Sequence, residues 1–177
     1  MRRVAITGLG LVSPLGNDAG GFFDRLMAGV SGIRRIETEF TERLTTRIAA
    51  PVDFDARSHF SAARLKGLDR YAQFALVAAR QALADAALDL LDEDGARIGV
   101  YLGTALGGAQ SMDEGYRVLY EQGSDRLPPY TVLMSMNAAA AGAIAGAYAL
   151  SGPSLSYSTA CSSASVAIGE AYRAIQA

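Results

Sequence analysis

The chain carries one cysteine, one histidine and no tryptophan in 177 residues. A single cysteine rules out an internal disulfide and a cysteine-based metal cluster, and it suits a reducing compartment. His59, in Arg57-Ser-His59-Phe60, is the only histidine. A lone histidine outside any motif reads as a surface or packing residue, and a cysteine hydrolase would have no other imidazole for its base. Charge is also scarce: Asp, Glu, Lys and Arg make up 19% of the chain. An average domain has roughly 25%, so more of the surface than usual is expected to be buried. A net charge of −2 and a pI near 5.4 give no electrostatic footprint for nucleic acid, and no basic run with interleaved aromatics supplies one. Nucleic acid is set aside as a partner, and no metal site is expected.

Long hydrophobic runs are missing too, although one stretch imitates a membrane span. No charged residue lies between Arg126 and Glu170, and Gly142-Ala-Ile-Ala-Gly146 matches the small-residue motif of membrane helix pairs. The stretch is built from Ala and Gly rather than Leu, Ile and Phe, contains Ser135, Asn137 and Tyr148, and lacks basic and aromatic anchors at its ends. It reads as a closely packed helix of a soluble core, with no membrane span. The start, Met1-Arg-Arg-Val-Ala-Ile-Thr-Gly8, has the charge of a secretory signal, but Gly8, Gly10 and Pro14 interrupt its apolar run too early. It reads as the first strand of a cytoplasmic protein. Gly8-Leu-Gly10-Leu-Val-Ser13 misses the dinucleotide fingerprint at Ser13, and Pro14 blocks the helix that would take a pyrophosphate. Gly103 to Gly108 lacks the Lys-Ser/Thr pair of a phosphate loop. Close backbone approach to an active site is its expected role.

The organisation reads as α/β, without internal repeats or low-complexity linkers. Val4 to Leu9 has the length and continuous apolar character of a strand buried on both faces. A short helix is expected over Phe22 to Met27, mixed structure from Ile33 to Ser61 with a strand near Arg47 to Val52, and a helix over Asp69 to Ala87. The last rests on Leu68, Ala72, Ala75, Ala79, Leu83 and Ala86 at helical spacing, and the acidic Asp89 to Asp94 with Gly95 close it. Ile98 to Thr104 reads as the next buried strand. Ser111-Met-Asp-Glu114 has the form of a capping box opening a helix to about Gln122, followed by a loop from Gly123 to Pro129. A long Ala/Gly helix is expected from about Val132 to Leu150.

The chemistry concentrates at the one cysteine. Cys161 stands in Tyr157-Ser-Thr-Ala-Cys161-Ser-Ser-Ala-Ser165, where the alternating strand pattern of Leu155, Tyr157 and Thr159 runs into a helix over Ser162 to Gln176. Ala164, Ile168, Ala171 and Ile175 mark one face of that helix. A thiol at a helix N-terminus is stabilised as a thiolate by free N–H groups and the helix dipole, and the same groups can hold an oxyanion. A lone cysteine buried as a small hydrophobe is the competing reading.

Ser158-Thr-Ala-Cys161-Ser-Ser-Ala resembles the nucleophile motif of the β-ketoacyl-acyl-carrier-protein synthases, the condensing enzymes of fatty-acid and polyketide synthesis. Arg3-Val-Ala-Ile-Thr-Gly8-Leu-Gly10-Leu-Val-Ser-Pro14-Leu-Gly16 resembles the family's opening strand and loop, Gly103-Thr-Ala-Leu-Gly107-Gly108 its central glycine turn, and Gly152-Pro-Ser154 its entry to the nucleophile strand. Four motifs in register over about 160 residues are far more specific than any one of them. The similarity is greatest to the type II bacterial enzymes.

The resemblance implies a thiolase-like α/β fold, with residues 1–177 forming the N-terminal half of a duplicated α/β/α/β/α layered structure. Family members run to roughly twice this length and carry a pair of catalytic histidines, a lysine and a second oxyanion loop in the C-terminal half, which is absent here. The isolated residues are therefore expected to be inactive, with an open sheet edge and apolar face awaiting a complementary half. By resemblance Cys161 is the nucleophile, and Leu106, Gly107, Tyr130, Thr131, Ala160 and Ser162 surround the acyl substrate. Leu106 falls at the position that borders the acyl pocket and limits chain length. Tyr130 and Thr131 fall where the family reaches across a homodimer with aromatic residues, and Thr131 departs from that pattern. Arg64, Lys66 and Arg70 fall where the family presents basic residues to the acidic acyl carrier protein, although an ordinary solvated helix end fits the same residues. No cofactor is implied. A polyketide ketosynthase, or a non-catalytic synthase-like partner subunit, remains an alternative; such subunits typically lack the nucleophile. A truncated product or one piece of a cleaved chain is a further alternative.

Overall fold

Most of the expected elements form, but α7 buries a different face from the one the pattern indicates. The computed structural model describes residues 2–90 and 93–177. Met1, and Leu91 and Asp92 of the acidic stretch, lie outside the described residues. Helix α1 (Ala19–Met27) starts at Asp18, whose carboxylate accepts from the Gly21 N–H. Strands β1 (Arg34–Arg35) and β2 (Ile48–Ala49) form a short antiparallel ladder. The strand expected over Arg47 to Val52 shrinks to β2. A single helical turn, α2 (Ala62–Leu65), precedes α3 (Arg70–Asp85), and Asp69 caps α3 by accepting from the Tyr71 N–H. Strand β3 (Val100–Gly103) is followed by α4 (Ala109–Tyr116), which continues as a π-helical turn over Arg117–Glu121. Helices α5 (Thr131–Ser135) and α6 (Ala139–Ala147), strand β4 (Ser154–Tyr157) and helix α7 (Ser163–Gln176) complete the order.

Strands β3 and β4 pair in parallel, with Val100 opposite Ser154 and Gly103 opposite Tyr157. Leu102 packs against the cluster of Leu68, Ala72, Leu76 and Ala140, together with Ala143 and Ile144. Its neighbour Gly103 faces the other way, as successive strand residues must. A Cβ added at Gly103 would lie 2.3 Å from the Ser163 carbonyl carbon. Helix α6 thus covers one face of the strand pair and α7 the other, with α3 packed behind α6.

Five expectations are corrected. Val4 to Leu9 joins no strand, and Ile6 is 84% exposed. This segment lies along α3 instead: the Leu9 N–H donates to Asp85 Oδ2 at 2.8 Å and the Leu11 N–H to Gln81 Oε1 at 2.9 Å. Gly8 and Gly10 permit that approach, since added Cβ atoms would stand 2.1 Å from the Ala82 oxygen and 2.0 Å from the Ala78 oxygen. Helix α4 begins at Ala109, so Ser111 is inside it, and its hydroxyl serves a tertiary contact to Asp69 rather than a cap. The helix expected over Val132 to Leu150 breaks at Met136, which is extended (φ −68°, ψ 139°). On α7, Ser163 and Ala167 face inward, while Ile168 is 70% exposed and Ile175 is exposed. Small residues are what let α7 sit so near β3; the apolar stripe is left outside. Finally, low charge does not translate into burial. The accessible surface of 11944 Å² exceeds by nearly half the about 8,200 Å² expected for a folded monomer of this mass.

Among the described residues no helix is long and apolar enough to cross a membrane. Gly142 and Gly146 have nothing near their Cβ positions, so the small-residue face of α6 is open.

Candidate active site

Strand β4 delivers the chain to a tight turn, Ala160–Ser162, from which α7 departs. Cys161 is exposed on that turn as a free thiol. Ala160 adopts φ 52°, the left-handed region that costs an L-residue roughly 1–2 kcal/mol, so surrounding contacts must enforce it. They come from the flanking hydroxyls. Ser163 Oγ accepts from the Thr159 N–H at 2.9 Å and donates to the Ala160 carbonyl at 2.6 Å, bracing the turn from the helix side. Ser162 Oγ donates to the Thr159 carbonyl at 2.8 Å. Cys161 therefore lies just ahead of the first turn of a 14-residue helix. A negative charge developing on a bound carbonyl there would meet the positive end of the α7 dipole.

The Gly103 to Gly108 loop runs beside this turn. Ser158 Oγ donates to the Ala105 carbonyl at 3.2 Å, and the Thr104 N–H to the Tyr157 carbonyl at 3.0 Å. Gly107 and Gly108 are buried, while the Leu106 side chain between loop and solvent is 66% exposed. The Gly107 N–H donates to Asn137 Oδ1 at 2.7 Å. An added Cβ on Gly108 would stand 2.0 Å from the Met134 oxygen, so glycine is required where the loop rests on α5.

The residues expected around the substrate thus fall into two groups. Ala160, Cys161 and Ser162 share one turn, joined to the loop of Leu106 and Gly107 by the Ser158 bond. Tyr130 and Thr131 sit apart at the start of α5; Tyr130 is 50% exposed, and Thr131 Oγ1 donates to the Pro128 carbonyl at 2.9 Å. Tyr130, Lys66 and Arg70 line a cavity of about 550 Å³ with Asp69, Ser111 and Met134. The basic residues are not equivalent. Arg64 and Lys66 are exposed, whereas the Arg70 guanidinium stacks over Phe74 at 5.0 Å and Phe54 at 5.8 Å and donates to the Val52 carbonyl. His59 stacks on Phe54 at 5.1 Å, as a packing residue does.

Sequence reasoning passed over the supports. Asp69, almost fully buried, accepts from the Ser111 N–H at 2.8 Å and hydroxyl at 2.6 Å, tying the start of α3 to α4. Tyr71 donates its hydroxyl to the Met136 carbonyl at 2.5 Å and accepts from the Ala140 N–H at 3.1 Å. Burial raises the Tyr71 pKa above its ordinary value, the Asp69 charge adds to this, and the Ala140 and Ala139 N–H groups oppose it. The Tyr157 pKa is likewise raised, first by burial and then by the charges of Glu170 and Tyr101.

A parallel strand pair covered by helices on both faces, with its one thiol at the strand-to-helix turn beside a buried glycine loop, defines the thiolase-like class of α/β fold. Within that class the assignment is specific. The chain belongs to the β-ketoacyl synthase family, whose N-terminal domain matches residues 1–177. It is 34% identical over 176 residues to the 3-oxoacyl-[acyl-carrier-protein] synthase 2 of Staphylococcus aureus strain N315, covering 99% of this chain and 42% of that protein. Among solved structures, a β-ketoacyl synthase from Burkholderia phymatum STM815 superposes with TM-score 0.84 at 30% identity, over 99% of this chain and 44% of the other. The AntDE:AntF complex, a type II PKS acyl-carrier protein with its ketosynthase bound to the hexaketide, superposes with TM-score 0.81 at 25% identity, over 99% of this chain and 47% of the other. The chain spans less than half the length of each.

Proposed function

We propose that residues 1–177 are the N-terminal half of a synthase that condenses an acyl thioester with malonyl-carrier protein, in fatty-acid or polyketide chain elongation. The observation that carries this reading is the exposed Cys161 on the β4–α7 turn, braced by Ser163 and adjoining the glycine loop. The Cys161 thiolate attacks the acyl thioester carbonyl, and the C–S bond to the carrier breaks to release the carrier thiol. Malonyl-carrier protein then loses carbon dioxide, its carbanion attacks the acyl-cysteine carbonyl, and the Cys161 thiolate leaves with its electron pair. The product is longer by two carbons. Dividing the reaction through a covalent thioester lowers the demand on each step. Within this reading the oxyanion receives one N–H from the Cys161 turn, and the C-terminal half supplies the histidines and the second oxyanion loop. No cofactor is called for.

The carrier is proposed to dock on Arg64 and Lys66, whose exposure leaves them available to an acidic partner, with Arg70 contributing less because its guanidinium is engaged. The AntDE:AntF relative pairs a carrier protein with a ketosynthase, which supports the partner class. A homodimer reached through Tyr130 and Thr131 and a cytoplasmic setting complete the proposal. The presence of Cys161 argues against a non-catalytic partner subunit.

Intact-protein mass spectrometry tests this. The complete synthase incubated with an acyl-carrier thioester should gain one acyl mass, and Cys161→Ala should gain none. Residues 1–177 alone should not turn over. Acylation that persists in the Ala variant would overturn the assignment of the nucleophile.

A further inference from the structure

We propose that Asn137 is the positioning residue for the wall of the acyl pocket: by accepting from the Gly107 N–H it fixes where Leu106 stands, and with it the chain length admitted. This rests on the reading of Leu106 as the pocket border. The Leu106 side chain cannot hold its own place, because it is largely exposed and packing supplies little restraint, and the Leu106 carbonyl accepts a long bond from Thr104 Oγ1 at 3.3 Å. Its neighbours hold it. On one side the Ala105 carbonyl accepts from Ser158 Oγ at 3.2 Å; on the other the Gly107 N–H donates to Asn137 Oδ1 at 2.7 Å, and the Gly108 N–H to the Ser135 carbonyl at 3.3 Å. The Asn137 bond is the shortest of the three and the one made by a side chain next to Leu106 on its glycine side. A backbone N–H can only donate, so the amide oxygen must face it.

The support beneath Asn137 is itself anchored. The residue lies in the break between α5 and α6, and the Tyr71 hydroxyl bonds on both sides of it, to the Met136 carbonyl and the Ala140 N–H. The loop rests directly on that joint, since a Cβ on Gly107 would stand 2.7 Å from Asn137 Oδ1 and 3.0 Å from its Cα. Interrupting the helix is what turns the Asn137 side chain to the loop.

The test uses the complete synthase and compares turnover on long and short acyl-carrier thioesters. Asn137→Ala should change the long-to-short ratio by about fivefold, the factor that one hydrogen bond's net worth supplies, while acylation of Cys161 by the short substrate is retained. Asn137→Asp keeps an oxygen acceptor and should leave the ratio near wild type. Asn137→Ser, too short to reach Gly107, replaces the Ala variant should that fail to fold. Leu106→Ala run in parallel separates two failures. A ratio shifted by Leu106→Ala but not by Asn137→Ala overturns the positioning role and leaves the pocket reading standing; no shift in either overturns both. Equal shifts in Asn137→Ala and Asn137→Asp also overturn it, because the acceptor oxygen would then not be the cause.

Discussion

Ala160 is held at φ 52° immediately before Cys161, and the side chain that holds it is Ser163. That hydroxyl serves both sides of the turn: the Thr159 N–H donates to it and the Ala160 carbonyl, which also accepts from the Ser163 backbone N–H, accepts from it. Ser163→Ala therefore leaves the Thr159 N–H short of a partner, while the Ala160 carbonyl keeps the Ser163 backbone N–H, and should cost about 1–3 kcal/mol in urea unfolding. It should also slow thiol alkylation or acylation at Cys161, since the turn is free to relax. Ala160→Gly acts oppositely, removing the Cβ that the left-handed conformation crowds. It should be neutral or stabilising by up to about 1 kcal/mol, measured in the same unfolding assay. An unchanged midpoint in Ser163→Ala would show that the serine does not brace the turn. Cys161 was legible in the sequence because it is the single thiol and stands where a strand pattern meets a helix pattern. Ser163 was not, because Ser158, Ser162, Ser163 and Ser165 look alike until the fold turns one of them inward.

At the scale of elements, the joint between α5 and α6 depends on a tyrosine far away in the chain. The Tyr71 hydroxyl is pushed above its ordinary pKa of 10.0, chiefly by burial, so the fold favours its protonated form. An unfolded tyrosine ionises first as pH rises. The stability that Tyr71 contributes is thus fully present below pH 10 and is lost as pH climbs through the higher folded value. Tyr71→Phe should lower stability at pH 8 by about 1 kcal/mol, the usual net worth of such hydrogen bonding. It should also make the decline above pH 10 shallower than in the wild type, with Tyr157 accounting for part of what remains. Parallel slopes would remove Tyr71 from the account. This joint also shows what the pattern could not say. Val132 to Leu150 contains neither proline nor charge, so nothing local announces a break at Met136, and Tyr71, which enforces it, lies 65 residues earlier. The α3 helix was legible from its apolar spacing, β3 from its apolar run and β4 from the alternation of Leu155 and Tyr157. Close approach was expected of the Gly103 to Gly108 loop and not of Gly8 and Gly10, which the structure sets against α3. Gly10→Ala would set a Cβ against the Ala78 oxygen and should lift the N-terminal segment off α3, costing about 2 kcal/mol or more as an unrelieved overpacking. A chemical-denaturation midpoint equal to wild type would contradict that contact.

The whole molecule has too much surface for its mass, and large apolar side chains are exposed along much of the chain. Ile6 stands out of the N-terminal segment, and Ile168, Tyr172 and Ile175 out of α7. Apolar side chains aligned on one helix, as Ile168, Tyr172 and Ile175 are on α7, mark an interface rather than a solvated exterior. Sequence pattern could state that α7 has an apolar stripe but not which face of the helix turns to the strand pair; Gly103 admits the Ser163–Ala164 backbone, Ala167 is buried and Ile168 is left outside. Under the proposed function the C-terminal half covers these side chains, and the same substitution should then have opposite consequences in two settings. In residues 1–177 alone, Ile168→Asp replaces an exposed apolar group with a charge and should leave the melting temperature unchanged within error, with improved solubility. In the complete synthase it places an unpaired carboxylate in an apolar interface, which costs several kcal/mol unless the group is neutralised, and the melting temperature should fall by about 5 °C or more. Equal tolerance in both would mean that the α7 stripe stays in water in the complete enzyme, and that the partner half covers another surface.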